Sequence, residues 1–317
     1  MSETNTPSFV HLHTHSEYSL LEASSRLKAL AKKAAEYKQP ALALTDNGNM
    51  FGAIEFYFAC KDKDVKPILG LDAYIAPGSR HEKKQDGNAR FSDAALGPKR
   101  LVLLAENFNG YQNLCKLSTI GYQEGFYWKP RIDYEALKEH NSNLICMSGG
   151  IRGEVVDTFL KEGPDAALEK IKNLKNIFGD RFYLESCKTL PAWNDINKFL
   201  LEASRITGVP IVATNDIHYV EQSDQVAQEV LICIGSNKTL ADEHRFKLGS
   251  SEFYFKNSDQ MTKLFSDNPD AVAKTLEIAD RCNVKFKLKD DNGKAIYHLP
   301  TFPTTEGRTV KEEMKYR

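Results

Sequence analysis

The sequence predicts an α/β protein whose parallel strands close into a barrel. Apolar, strand-like runs alternate with segments of helical periodicity from residue 9 onward, which is typical of a parallel sheet with helical crossovers. Seven such runs favour a barrel over a short open sheet, although periodicity alone leaves both arrangements open. Most runs also finish on a polar residue, and α/β barrels carry their functional groups at the carboxyl ends of the strands.

The composition predicts an ordinary soluble protein of the reducing cytosol. Of the 317 residues, 41% are hydrophobic and 27% are charged, and the formal net charge is −1. The six cysteines form no CxxC pair, which argues against a disulfide framework or a zinc ribbon. No apolar run approaches the roughly 20 residues that cross a bilayer, and the start "MSETNTPS" lacks the features of a secretory signal. We therefore expect a cytoplasmic protein with no membrane partner, in which any contact with nucleic acid is local.

The predicted elements follow one another regularly along the chain. Strands are expected at residues 10–13, 41–46, 67–75, 101–105, 144–148, 182–185 and 211–216. The intervening helical segments are "RLKALAKKAAEY", "GAIEFYFACKD", "YQNLCKLSTIGY", "AALEKIKNLKNIF" and "NKFLLEASRITG". Each has apolar residues at the spacing of one helix face.

Two segments depart from this alternation. Residues 77–99 are polar and poor in apolar side chains, so we expect a surface insertion there. The helical signal fades near residue 285 into "KDDNGKAIYHLPTFPTTEGRTVKEEMKYR". We expect an N-terminal extension at 1–8, a barrel domain at 9–285, and at 286–317 a linker toward a further part of a longer chain.

Three of the eight histidines lie two residues apart near the start of the chain. His11, His13 and His15 fall in "FVHLHTHSEYSLLEA", whose first residues predict a strand. Side chains alternate along a strand, so the three rings are expected on one face. A surface strand with a polar face is the alternative to a metal site.

Carboxylates and a further histidine follow other predicted strands. They are Asp46 in "TDN", Asp72 in "ILGLDAY", Glu185, and Asp216 with His218 in "ATNDIHY". Such groups are costly to bury unless they are paired or bind a metal. Imidazoles combined with carboxylates suit zinc, manganese or iron. We therefore expect His11 and His13 to coordinate a metal. The sequence leaves open whether His15 is a ligand, a substrate contact or an exposed side chain.

The successive motifs resemble those of a known family. "HLHTHSEYSLLEA", "ALALTDNGNMFGAIEFY", "KPILGLDAYIA", "LVLLAENFNGYQNLCKLST", "ICMSGGIRGEV" and "IVATNDIHYV" resemble, in order, the motifs of the polymerase and histidinol phosphatase (PHP) domain. The version they resemble stands at the N-terminus of bacterial replicative DNA polymerase III alpha subunits. The resemblance implies a distorted seven-stranded β/α barrel of TIM-barrel type, and a parent chain that is a DNA-directed DNA polymerase. It also implies a magnesium-dependent polymerase core elsewhere in that chain.

The resemblance also implies a set of metal ligands. Motif by motif, the retained positions are His11, His13, Glu22, Asp46, Asp72, Asp216 and His218. Positions where a ligand is usual carry Asn47, Arg100 and Gly150 instead. One metal position, formed by His11, His13, Asp72 and Asp216, is then complete. The expected content is about one zinc or manganese ion, or none.

The substitutions point to a degenerate site. Glycine offers no ligand atom, and a guanidinium is permanently protonated and cannot coordinate a cation. Two-metal hydrolysis needs two cations about 4 Å apart. The expected role is therefore a scaffold for the polymerase chain that docks a proofreading exonuclease subunit and other replicase subunits. DNA is expected to be bound through the parent protein. No residue of this chain is assigned a catalytic role.

Two other functions stay open at this point. One is an active metal-dependent phosphoesterase, either a 3′–5′ exonuclease or a pyrophosphatase. The other is a free-standing metallohydrolase of the amidohydrolase type. That type predicts a barrel lysine or further histidines at the middle strand ends, which the sequence lacks.

Overall fold

The computed structural model describes residues 8–83, 98–297, 303–305 and 307–316. The chain divides into two compact units, Met1–Val284 and Lys285–Arg317. The predicted surface insertion at 77–99 and the predicted extension at 1–8 lie largely outside the described residues.

The larger unit is a closed barrel, which confirms the predicted fold class. The strands are β1 Ala41–Leu44, β2 Lys66–Ile75, β3 Lys99–Ala105, β4 Phe126–Tyr127, β5 Lys129–Ile132, β6 Leu144–Met147, β7 Phe182–Ser186 and β8 Ile211–Ala213. Hydrogen bonding links β1 to β2, β2 to β3, β3 to β6, β6 to β7 and β7 to β8. The extended segment at residues 8–15 closes the ring. It bridges to Leu42 of β1 through His11 and to Ile217, beyond β8, through Thr14. This segment and six of the strands therefore form the wall of the barrel.

Two strands correct the expectation of an all-parallel sheet, and one of them is β4, which pairs antiparallel with β5 in a hairpin. β3 runs antiparallel to both of its neighbours, β2 and β6. An antiparallel strand brings its beginning, rather than its end, to the rim where the parallel strands finish. This direction is why Arg100, the second residue of β3, reaches the same rim as the residues that follow the other strands.

The barrel interior is a single apolar core to which all seven segments contribute. Its members include Val10, Leu12, Ala41, Ala43, Ile68, Val102, Leu104, Ile145, Met147, Tyr183 and Val212. Ile278 of the helix Pro269–Arg281, and Cys282 directly after that helix, pack against the same core. Because side chains alternate along a strand, Arg100 and Glu185 share a face with interior residues two positions away. The core therefore sets the direction in which the polar residues above it point.

Helices cover the outside of the barrel, and all five of the predicted helical segments are confirmed. α1, Leu27–Glu36, buries Leu27, Leu30 and Ala34, which share one helix face. α3, Phe108–Gln123, is capped by Asn107, whose side chain accepts a hydrogen bond from the amide of Gly110 at 3.1 Å. The helices of this unit are α1 Leu27–Glu36, α2 Ala53–Lys61, α3 Phe108–Gln123, α4 Tyr134–His140, α5 Glu154–Glu162, α6 Pro164–Phe178, α7 Trp193–Thr207, α8 Gln225–Ser236, α9 Ser258–Leu264 and α10 Pro269–Arg281.

The smaller unit has little regular structure in its described part. Lys289 and Ala295 form an isolated antiparallel bridge, and α11 spans Val310–Tyr316. The α11 side chain of Glu313 accepts a hydrogen bond from the Thr305 amide at 3.1 Å. In the described ranges of both units, no helix has the length and apolar character needed to cross a membrane.

Candidate metal centre

Three histidines converge at the rim of the barrel, and each is fixed through its Nδ1 atom. His13 Nδ1 lies 2.6 Å from Glu185 Oε1, and His218 Nδ1 lies 2.8 Å from the carbonyl oxygen of Glu22. His15 Nδ1 lies 3.3 Å from Ser19 Oγ. Because Nδ1 of each ring is held by one of these contacts, its Nε2 atom is directed toward the centre of the cluster. Metal-binding histidines are oriented in this way by a second hydrogen bond.

The inward Nε2 atoms meet two carboxylates. His13 Nε2 and His15 Nε2 are 3.2 Å apart, and Asp216 Oδ1 lies 3.1 Å from the latter. Asp72 Oδ2 lies 3.7 Å from His13 Nε2, and His218 Nε2 lies 3.2 Å from Asp216 Oδ1. Two overlapping groups of potential ligands result: His13, His15 and Asp72, and His15, Asp216 and His218.

The electrostatics of this cluster favour positive charge. Burial alone would lower the pKa of His13, but Glu185 and Asp216 outweigh that effect and hold it well above its ordinary value. Burial lowers the pKa of His15 to about 4, so that ring is neutral and its Nε2 is available as a ligand. Burial alone would raise the pKa of Asp216, but the neighbouring His218 and His13 rings outweigh that effect and hold it well below the usual range. A divalent metal would supply the positive charge that these carboxylates attract.

Buried carboxylate oxygens without partners give a separate test of whether a metal fits. Among the described side chains, Asp72 Oδ1 and Glu185 Oε2 are buried and have no hydrogen-bond partner. Leaving such atoms unsatisfied is costly. Asp72 is a member of the cluster, so the residues present fit a cation with imidazole and carboxylate ligands.

His11 does not join this cluster, contrary to the expectation from the alternating pattern. Its Nε2 lies 2.8 Å from the carbonyl oxygen of Lys256, and its ring packs edge-on against Phe9 and Phe255. Burial lowers its pKa to about 3. The chain bends at His13, which breaks the two-residue alternation on which the prediction depended. The HxH pair that the structure brings to the cluster is His13 with His15, the residue that the sequence left open.

Asp46 also stands apart from the cluster, although the resemblance implied that it is a ligand. Ser16 donates to Asp46 through its amide and its hydroxyl, both at 2.7 Å, and the Ser19 hydroxyl donates at 2.6 Å. Both carboxylate oxygens are thereby occupied in holding the loop that carries His15. Burial raises the pKa of Asp46 to about 6. The geometry assigns this residue to positioning of the loop.

A buried arginine occupies the neighbouring position. Arg100 donates to Asp72 Oδ2 at 2.7 Å and to Glu22 Oε2 at 2.9 Å. A third hydrogen bond goes to the side-chain oxygen of Asn47, whose amide donates to Glu22 at 2.7 Å. The guanidinium also lies over the Tyr74 ring, 4.9 Å from its centroid. Two of the three positions at which the resemblance implied lost ligands, Asn47 and Arg100, are thus joined in one network with Glu22.

Two further cations belong to this network and were missed by the sequence analysis. Lys129, at the start of β5, lies 2.5 Å from Glu22 Oε1, and Arg152 lies 3.9 Å from Glu22 Oε2. Burial opposes ionisation of Glu22, but Arg100 and Lys129 outweigh it and lower the pKa of that carboxyl. Lys129 lies in none of the quoted motifs, and Arg152 lies in "ICMSGGIRGEV" at a position to which no role was assigned. No signal in the sequence alone placed them beside Glu22.

The third implied loss, Gly150, lies beside the Glu185 carboxylate. A Cβ built on Gly150 would lie 3.6 Å from Glu185 Oε1, in ordinary contact.

Asp216 has a left-handed backbone with φ +50°, which directs its side chain toward the three rings. Strained backbone of this kind is concentrated at functional sites.

Comparison with known proteins agrees with the resemblance that the sequence motifs showed. The family model for PHP domains matches residues 11–189. A curated DNA polymerase III subunit alpha from Deinococcus radiodurans is 40% identical over 315 residues, covering 97% of this chain and 23% of that protein. The subunit of the same name from Borreliella burgdorferi is 42% identical over 281 residues, covering 88% of this chain and 24% of that protein. The chain therefore spans about a quarter of the length of these relatives.

Solved structures show a more distant likeness. A two-domain protein from Bacteroides vulgatus, described as containing a predicted PHP-like metal-dependent phosphoesterase, aligns with a TM-score of 0.41 and 10% identity. The alignment covers 85% of this chain and 69% of that one. At that level of similarity it gives no information about the site.

Proposed function

Because this chain belongs to the PHP domain family, we propose that it is the metal-binding barrel of a bacterial replicative DNA polymerase alpha subunit. In this proposal the parent chain is a DNA-directed DNA polymerase of the cytoplasm, with magnesium used by its polymerase core. The barrel binds about one zinc or manganese ion and serves mainly as a scaffold. Residues 286–317 lead from the barrel toward the polymerase core. The names of the curated relatives and their 40% and 42% identity support this assignment.

One observation supports the metal proposal above all others. Three imidazoles whose Nδ1 atoms are occupied present their Nε2 atoms to Asp72 and Asp216. In this proposal His13, His15 and Asp72 hold the ion, Asp216 and His218 complete its surroundings, and Glu185 orients His13. The bound ion would act as a Lewis acid and a centre of positive charge.

The scaffold role is supported by Arg100. A second cation next to Asp72 would have to displace a guanidinium that already bridges Asp72 and Glu22 at 2.7 and 2.9 Å. The arginine supplies the positive charge but cannot bind a water nucleophile or a leaving oxygen as a metal does. The arrangement therefore favours stability of the cleft over hydrolysis of a phosphoester.

Metal content and turnover test this proposal together. Elemental analysis and calorimetric titration of the purified chain should give about one equivalent of zinc or manganese, and His15→Ala should abolish binding. A wild-type chain that stays metal-free in excess of both ions would overturn the metal proposal. Hydrolysis of the 3′ end of single-stranded DNA and of pyrophosphate should stay at background. Robust metal-dependent turnover that is lost in Asp216→Asn would establish the phosphoesterase instead of the scaffold.

We include docking of a proofreading exonuclease subunit and other replicase subunits in the proposed role. α8 offers a surface for it, because Val226, Val230 and Ile234 follow one another at four-residue spacing and are exposed. Exposed apolar stripes of this kind mark protein interaction sites. Ile234→Asp should weaken the complex with the exonuclease subunit in analytical ultracentrifugation. Exposed Ile206 on α7 provides the control Ile206→Asp, and equal effects of the two variants would exclude this surface.

A further inference from the structure

A short segment of the chain runs beside the loop that carries two members of the metal cluster. That loop, residues 214–218, follows β8, and we call it the ligand loop. The neighbouring stretch is residues 252–256, which we call the supporting segment. The amide of His218 donates to the carbonyl oxygen of Phe253 at 2.9 Å, so the two stretches are hydrogen-bonded to each other.

The supporting segment ends on a buried lysine. Lys256 is 4% exposed, and its ammonium group donates to Asn215 Oδ1 at 3.1 Å. The same group contacts Glu252 through the carbonyl oxygen and, at 3.1 Å, through the carboxylate. It also lies over the Tyr254 ring, 4.1 Å from the centroid. Burying an ammonium group is costly even when it is paired, so a lysine at this position indicates a role that an apolar side chain cannot fill.

Asn215 joins this lysine to the metal cluster. Its amide nitrogen donates to the carbonyl oxygens of Tyr254 at 2.7 Å and of Glu252 at 3.2 Å, so the side chain is held at both its oxygen and its nitrogen. The next residue is Asp216, whose backbone is left-handed with φ +50°. A residue with a side chain keeps that conformation where its surroundings impose it. The hydrogen bonds of Asn215 fix the chain directly before this strained position.

The main chain of Lys256 is anchored by the histidine that lies apart from the cluster. Its carbonyl oxygen accepts hydrogen bonds from His11 Nε2 at 2.8 Å and from Gln39 Nε2 at 3.1 Å. His11 belongs to the segment that closes the barrel, Gln39 comes just before β1, and both side chains are buried. The barrel therefore holds the main chain of Lys256, and the side chain of Lys256 holds the ligand loop.

We propose that Lys256 is a positioning residue for the metal cluster and that His11 acts through it. The ammonium group fixes Asn215, and Asn215 keeps Asp216 in the conformation that directs its carboxylate toward the histidine rings. Neither Lys256 nor His11 binds the ion in this arrangement. The inference rests on the proposed metal site and adds to it two residues that act on a ligand from behind.

Replacement of Lys256 by methionine removes the ammonium group and keeps most of the side-chain volume. Lys256→Met should weaken binding of zinc and manganese about 10- to 100-fold in calorimetric titration, the usual effect of losing a group that orients a ligand. The stoichiometry should not change, because every ligand remains. Lys188→Met is the matched control. Lys188 also donates to a carbonyl oxygen, that of Leu264 at 3.0 Å, and lies over the Phe265 ring at 5.0 Å, and its replacement should leave metal affinity unchanged.

A spectroscopic measurement separates positioning from a general loss of stability. Cobalt(II) bound in place of the other ions reports the geometry of its ligands in its visible absorption bands. Lys256→Met and His11→Ala should both alter these bands, whereas His11→Gln should restore them, because glutamine keeps a donor for the Lys256 carbonyl oxygen. Leu174→Ala destabilises the core under α6, where Leu174 is fully buried, and should leave the bands unchanged.

Hydrogen exchange tests the same network in the absence of metal. In the chain treated with chelator, the amides of Ile217 and His218 donate to carbonyl oxygens at 3.2 and 2.9 Å. They should exchange about 10-fold faster in Lys256→Met than in Lys188→Met, because local opening of the ligand loop becomes easier.

Two results would overturn the proposal. One is metal affinity and a cobalt spectrum in Lys256→Met that equal those of Lys188→Met, and the other is unchanged exchange of the two amides. Failure of the metal site itself gives a different pattern. A wild-type chain that binds no ion, together with faster exchange in Lys256→Met, would reject the metal proposal and support the hold of Lys256 on the ligand loop.

Discussion

Replacement of Arg100 by alanine tests whether this side chain takes the place of a cation. Arg100 is 6% exposed and forms ion pairs with Asp72, which is fully buried, and with Glu22, which is 25% exposed. Its removal leaves the Asp72 carboxylate buried without its closest positive charge. Breaking a buried pair in this way typically costs about 3–5 kcal/mol, because the remaining charge is not compensated.

The expected change in melting temperature follows from the size of the unit. An unfolding entropy of about 2.1 cal/mol/K per residue gives about 0.6 kcal/mol/K for the unit Met1–Val284. A loss of 3–5 kcal/mol therefore corresponds to a decrease of roughly 5–8 °C. Differential scanning calorimetry in the presence of chelator measures this directly. Adding zinc or manganese should recover part of the decrease in Arg100→Ala, since the freed carboxylates can then accept a cation.

A surface arginine provides the matched control. Arg205 is 79% exposed and lies 3.6 Å from Glu202 on the same helix. Arg205→Ala should change the free energy of unfolding by no more than about 0.5 kcal/mol, or about 1 °C. If Arg100→Ala destabilises the chain no more than Arg205→Ala does, the reasoning about charge replacement is refuted.

Three further predictions concern the same rim. His11→Ala should lower the melting temperature but leave metal stoichiometry unchanged in calorimetric titration, whereas His15→Ala should abolish binding; loss of metal in both variants would contradict the arrangement described here. Glu185→Gln should weaken metal affinity by about 10- to 100-fold, as expected when a residue that orients a ligand is altered, and an unchanged dissociation constant would show that His13 needs no such support. Gly149→Ala should destabilise the chain far more than Gly150→Ala in urea unfolding. A Cβ on Gly149 would lie 2.1 Å from a backbone oxygen of β3, whereas a Cβ on Gly150 would meet nothing closer than 3.6 Å. Similar urea midpoints for the two variants would be inconsistent with that packing.

The sequence was sufficient to predict the barrel and most of its strands, but not the β4–β5 hairpin or the direction of every strand. Alternation of apolar runs with helical segments identifies elements, and nothing in that pattern distinguishes a parallel strand from an antiparallel one. β3 begins at Lys99, at the end of the stretch 77–99 that lacks helical periodicity. The missing helix between β2 and β3 was a sign that the two strands need not be parallel.

The candidate site was predictable where side chains follow strands and less so elsewhere. Asp72, Asp216 and His218 lie in or just after predicted strands, and the structure brings them together. The sequence pattern expected all three rings on one face and left the role of His15 open, whereas a single bend at residue 13 changes which rings share a face. Lys129 lies in a hairpin that is 107 residues from its partner Glu22 along the chain, and no local pattern encodes such a contact.

The seam that closes the barrel also determines when the site can form. His15 and Asp216 are 201 residues apart in sequence, and the amide of His15 bonds to the carbonyl oxygen of Ile217 at 2.9 Å. Contacts between such distant residues are slow to form, since a long loop must be ordered before they contribute stability. During synthesis the N-terminal segment emerges first and must wait for the last strand before its edge is paired, which leaves it open to misassociation. Assembly of the metal ligands is therefore expected to coincide with the final step of folding, so that occupancy of the cluster reports on completed barrels alone.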